Sequence, residues 1–88
     1  MTKGIVSGVV ANMVTLRVDG PVLQGEICYI TTGGDRLMAE VIKVVGQDVY
    51  VQVFESTRGL KVGAEAEFTG QKPYWHILKS IATVTDST

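Results

Sequence analysis

His76 is the only histidine in this 88-residue chain and Cys28 the only cysteine. A zinc centre of the usual kind needs three or four Cys, His or carboxylate ligands, so clusters of the histidine and cysteine types cannot be assembled within one copy. Ser7, Ser56 or Ser80 could be set beside His76 and an aspartate as a hydrolytic triad, yet none lies in the glycine-flanked elbow that exposes a nucleophilic serine. A P-loop requires a Gly-Lys pair, with backbone amides cradling phosphates and the lysine neutralising them; the sequence contains no Gly-Lys pair. There is no dinucleotide-type glycine fingerprint either. Glu40 stands in an apolar run, where a buried carboxyl would have a raised pKa. The simpler reading is that it faces solvent or pairs with Lys43. Glu65 and Glu67 alternate with Ala64, Ala66 and Phe68, which marks the wet face of a strand rather than an acid–base pair.

The elements that would have to position these residues are strands. Val14, Leu16 and Val18 alternate with Met13, Thr15 and Arg17, and Val49, Val51 and Val53 alternate with Tyr50, Gln52 and Phe54. Turn signals fall between such runs at Asp19-Gly20-Pro21, Gly33-Gly34-Asp35, Gly46-Gln47-Asp48 and Gly59. The pattern predicts strands over Gly4–Ala11, Met13–Val18, Glu26–Thr31, Arg36–Val45, Val49–Val53 and Ala64–Thr69. The fold class is therefore all-β: a small closed six-stranded β-barrel, since an open sheet of this size would leave two unpaired edges. Met38 to Val45 is apolar on both faces, which places it where the barrel bends or where a neighbour covers its outside.

Beyond Gly70 the character changes. Tyr74, Ile77, Leu78 and Ile81 recur at helical spacing behind Pro73, so a short C-terminal helix is expected, one that must dock to be stable. Trp75 and Tyr74 would be buried by that docking. The chain thus divides into an N-terminal barrel over residues 1–70 and a tail over residues 71–88.

A chain of this length buries only about 60–65 % of its unfolded surface, so the core is modest and a large active-site cleft is not expected. Eight Lys and Arg against nine Asp and Glu leave a formal charge of -1, with no basic field for nucleic acid. No apolar run reaches the length of a membrane span, and no signal-peptide pattern opens the chain, so no direct membrane insertion is expected. One thiol in an apolar strand excludes an internal disulfide and points to the cytoplasm.

One stretch carries more. In Gln52-Val53-Phe54-Glu55-Ser56-Thr57-Arg58-Gly59-Leu60-Lys61-Val62-Gly63 a strand enters a charged loop punctuated by two glycines. With Gly25-Glu26-Ile27-Cys28-Tyr29-Ile30 and Met38-Ala39-Glu40-Val41-Ile42-Lys43-Val44-Val45-Gly46 upstream, in the same order and at similar distances, it resembles the N-terminal barrel of the catalytic A, or alpha, subunit of V/A-type ATP synthases of the bacterial subtype. The resemblance covers roughly Lys3 to Gly70; the glycine-rich apolar link that follows in the family has no counterpart in Lys72 to Thr88.

The resemblance implies a non-catalytic collar. In the family, barrels of three catalytic and three non-catalytic subunits form a ring holding the hexameric head together while ATP chemistry is coupled to proton or sodium transport. ATP and Mg belong to the full-length family, and no cofactor is expected on this fragment. Implied partners are the neighbouring B subunits, with the peripheral stalk a further candidate, in a cytoplasmic complex peripheral to the membrane. The subunit-interface candidates are Phe54, Glu55 and Arg58, together with the outward apolar residues of Met38 to Val45. Two roles stay open for the loop: Thr57 and Glu55 organise a turn with Arg58 solvated, or the aromatic and the arginine anchor an interface. Rival readings are the equivalent barrel of a secretion or flagellar export ATPase, a stand-alone binding barrel, which would show a basic or aromatic strand face, and a small enzyme built on Glu40 or His76.

Overall fold

The computed structural model describes residues 2–71. Every regular element among them is a strand: β1 Lys3–Val10, β2 Met13–Val18, β3 Ile27–Thr32, β4 Asp35–Val45, β5 Asp48–Val53 and β6 Glu65–Phe68. Each lies within one residue of the span read from the sequence, because alternation and turn chemistry here agree with the final pairing. The expected tail helix, with His76, Ser80, Tyr74 and Trp75, lies outside the described residues.

The strands close into an antiparallel barrel in the order β1-β2-β5-β4-β3-β6. Two-residue turns join β3 to β4 at Gly33-Gly34 and β4 to β5 at Gly46-Gln47, and Gly33 (φ 59) and Gly46 (φ 60) take the left-handed first position that such hairpins need. The β1–β2 turn has Ala11 (φ 53) at that position, a conformation costly for a residue with a Cβ. Since all pairs are antiparallel, the connections sort to two ends. One end carries Ala11-Asn12, Gly33-Gly34 and the β5–β6 loop. The other carries the start of β1, the β2–β3 connection, Gly46-Gln47 and the exit from β6.

The inner wall is valine-rich. Val6, Val14, Leu16, Val41, Val49, Val51 and Val53 are fully buried with Cys28, Ile30, Ala39, Ala66 and Phe68. Each such side chain removed from water contributes about 1.5–3 kcal/mol at full burial of a Val- or Phe-sized group. Val22 of the β2–β3 connection and Leu60 of the β5–β6 loop pack onto this core from opposite ends and stopper the cylinder. Among the described residues Phe68 is the largest buried side chain, and its ring occupies space that Gly4 leaves open: a Cβ at Gly4 would stand 3.1 Å from the ring and 3.2 Å from the Arg17 carbonyl oxygen.

The strand that is apolar on both sides does bend. The β4–β5 register slips between Val41 and Lys43, so Ile42 is an extra residue, and beyond it Val44 and Val45 emerge at the barrel end, 38 % and 49 % exposed. A matching slip between Val6 and Gly8 lets β1 follow the same curvature.

Candidate interaction surface

The β5–β6 loop begins where β5 leaves its partners. Phe54 N–H donates to the Met38 carbonyl at 3.1 Å, so the aromatic is anchored at the edge of β4 with its side chain 46 % exposed. The hydroxyl of Thr57 donates to the Ala11 carbonyl at 2.7 Å, and Leu60 N–H returns to the Thr57 carbonyl at 2.9 Å. Arg58 N–H is held by the Ser56 hydroxyl at 3.1 Å, while Glu55 and Arg58 are both exposed. Further on, the Thr32 hydroxyl donates to Gly59 at 3.4 Å and Gly63 N–H to Val6 at 2.8 Å. Thr57 therefore ties the loop to the β1–β2 turn, and Phe54, Glu55 and Arg58 are exposed at that end of the barrel.

Other exposed apolar side chains share that end. Val10 and Met13 pair across the β1–β2 hairpin, 76 % and 39 % exposed, and Met13 pairs with Gln52, two residues before Phe54. The sequence reading did not single them out; their signal was an apolar residue at the outward position of an alternating strand. By contrast Ile42, Val44 and Val45 lie toward the opposite end, so the outward residues of β4 and the loop after Phe54 form two patches rather than one.

The remaining candidates are dispersed. Glu40 is half-buried between the inward Ala39 and Val41, opposite Gln52 on the outside of the wall. Glu65 and Glu67 are exposed and alternate with buried Ala66 and Phe68. Ser7 donates its hydroxyl to the Thr15 carbonyl at 3.2 Å. Cys28 is fully buried; removal from water, and secondarily the negative Glu26, push its thiol from 9.0 up to about 12, which makes it inert. A groove over β1 and β6 is lined by Ile5, Ser7, Arg17, Val62 and Glu65 among others, with the Ser7 hydroxyl engaged by the Thr15 carbonyl.

The chain lacks the Gly-Lys pair, and among the described residues no three His, Cys, Asp or Glu side chains gather so as to hold a metal. Nor is any described helix long and apolar enough to cross a membrane.

Glu26, read from the sequence only as the first residue of a strand, was not singled out there as a functional residue. It is 2 % exposed, the one buried charged residue among those described, and it accepts the Leu23 N–H and the Gly70 N–H at 2.6 Å each. A signal existed, for Glu26 stands at the inward position with Cys28 and Ile30.

A closed six-stranded cylinder with apolar side chains on its outer surface defines a small β-barrel module. Residues 6–70 match the beta-barrel domain of the ATP synthase alpha/beta family, and the chain belongs to that family. It is 51 % identical over 69 residues to the V-type ATP synthase alpha chain 1 of Treponema pallidum (strain Nichols), covering 78 % of this chain and 12 % of that protein. Over 68 residues it is 52 % identical to the V-type ATP synthase alpha chain of Borreliella afzelii (strain PKo), and 48 % to that of Borreliella burgdorferi (strain ZS7), in each case 77 % of this chain. The chain spans about 12 % of the length of these curated relatives.

Proposed function

We propose that this chain is the N-terminal barrel of a V-type ATP synthase alpha chain and serves as a non-catalytic collar, holding alpha chains to neighbouring B subunits while the catalytic domains open and close. On this reading residues 1–70 are the collar domain and residues 71–88 a separate tail. ATP and magnesium are handled by parts of the alpha chain beyond the barrel. The complex is peripheral to the membrane on its cytoplasmic side, and ion translocation is a property of the whole machine.

The observation that carries the reading is the combination of a closed, plugged wall with apolar side chains held outward. A wall in which each strand is paired on both sides resists shear, because deformation must break several backbone hydrogen bonds together. Phe54 and Arg58 are residue types that anchor protein interfaces, and the backbone bonds around them set their direction before any partner arrives. A lone barrel would remain monomeric for want of its heterologous partner.

The test is a head reconstituted with an alpha chain carrying Phe54→Ala and Arg58→Glu. Weaker assembly with B subunits and a lower inactivation temperature are expected. Assembly and heat resistance equal to the unaltered head would reject the loop as an interface.

A further inference from the structure

The exit of the chain from β6 is built into the barrel wall. Thr69 N–H and its hydroxyl both reach the Ile27 carbonyl, at 3.0 and 2.9 Å, and Ile27 N–H donates to the Gln71 carbonyl at 2.9 Å. The pairing of Cys28 with Phe68 thus continues three residues beyond the strand. The residues just before β3 are in turn pinned to β4, with Gly25 N–H donating to Val41 at 2.8 Å and Val41 N–H to Glu26 at 2.9 Å.

Between these backbone ties sits the Glu26 side chain. One carboxylate oxygen takes the Leu23 N–H of the β2–β3 connection; the other takes the Gly70 N–H, 44 residues away in sequence. Gly70 has φ 75, so the chain turns there just as its amide is captured. A buried carboxylate is costly unless compensated, and backbone N–H groups at 2.6 Å are strong, directional compensation. Backbone pairing through Ile27 would hold Thr69 and Gln71 without it. Among the described residues, Glu26 is the side chain that ties the bend at Gly70 to the β2–β3 connection.

We propose that Glu26 is a positioning residue that fixes the direction in which the polypeptide leaves the barrel, by clamping the Gly70 turn to the β2–β3 connection. Its consequence is a held joint at Gly70–Gln71, where the chain leaves the wall. The inference is independent of which partners the outer surface binds.

Residue-resolved amide exchange on the 88-residue chain tests it, with Glu26→Ala and Glu26→Gln as variants. In the unaltered protein the Gly70 and Leu23 amides should exchange more than tenfold slower than in unstructured peptide, and the Gly70 amide proton should resonate downfield. Glu26→Ala should remove more than tenfold of that protection at both amides and move the Gly70 resonance upfield, with the amides of β2 and β5 unchanged. Glu26→Gln keeps one acceptor oxygen, so one of the two amides should keep its protection and the other lose it. Unprotected Gly70 in the unaltered chain would overturn the proposal, as would equal Gly70 protection in Glu26→Ala. A uniform loss across β2, β5 and Gly70 would assign Glu26 to general stability instead. Should Glu26→Ala not fold, Glu26→Gln decides: full protection at both amides overturns the clamp.

Discussion

The two ends of the barrel are closed by different chemistry. At the end bearing Phe54, turns are tied by neutral hydroxyls at exposed sites, Thr57 to Ala11 at 2.7 Å and Thr32 to Gly59 at 3.4 Å. At the end where the chain enters and leaves, hydroxyl ties recur, Thr2 to Pro21 at 2.6 Å and Thr69 to Ile27 at 2.9 Å, and carboxylates are added to them: Glu26 takes Leu23 and Gly70, and Asp19 takes the Lys3 N–H at 2.9 Å. Neutral hydrogen bonds contribute about 0.5–1.5 kcal/mol net, and bonds to charged groups about 1.5–3 kcal/mol. The difference teaches where this fold requires fixed geometry. Entry and exit carry ties to charged groups, whereas the end offering apolar side chains is held by neutral bonds.

An aromatic pair gives the largest contrast between the ends. Phe68→Ala removes the largest core side chain next to the exit and should cost about 3–5 kcal/mol, enough to unfold much of the population. Phe54→Ala, at the other end and 46 % exposed, should cost less than about 1 kcal/mol. Urea titration of both variants checks this, and equal losses would break the distinction.

The alkaline response comes next. The folded thiol of Cys28 stays protonated up to about 12, while in the unfolded chain it ionises near 9.0. The unfolded state therefore releases its proton first, and stability falls as pH rises from about 9 toward 12, by roughly 3–4 kcal/mol at the top of that window. The unaltered protein should lose stability more steeply than Cys28→Ala between pH 9 and 11; parallel slopes would contradict it.

Gly4→Ala should cost about 1–3 kcal/mol through the crowding of Phe68 and the Arg17 carbonyl, read as a lowered urea midpoint with an unchanged slope. Thr57→Val deletes only the hydroxyl bond to Ala11 and should cost about 1 kcal/mol, with faster tryptic cleavage at Arg58. The smallest effect is a gain: Ala11→Gly relieves a positive φ and should raise stability by up to about 1 kcal/mol, seen as a melting temperature a few degrees higher.

The wall was legible in the sequence because a period of two, once one face is buried, fixes register as well as strand identity. Even the bend in β4 could be read, from apolar side chains on both faces of Met38 to Val45, and the extra residue Ile42 is its cause. The Phe54, Glu55 and Arg58 loop was legible as exposed. That Thr57 reaches Ala11, 46 residues away, was not, since a hydroxyl and a carbonyl leave no mark on spacing. Glu26 did not stand out, because a charge at a strand start ordinarily faces water. Its partners are backbone amides, present at every non-proline residue, so composition cannot reveal them.

The closing pair β1–β6 has only three matched positions, Lys3 with Glu67, Gly4 with Ala66 and Ile5 with Glu65, against six in β1–β2. Since β1 starts and β6 finishes at the same end, tension drawn between them would open this seam like a zip, one bond after another. Load applied sideways would instead spread around the whole hoop. Phe68 N–H to the Thr2 carbonyl at 2.9 Å is the first stitch such a pull would meet.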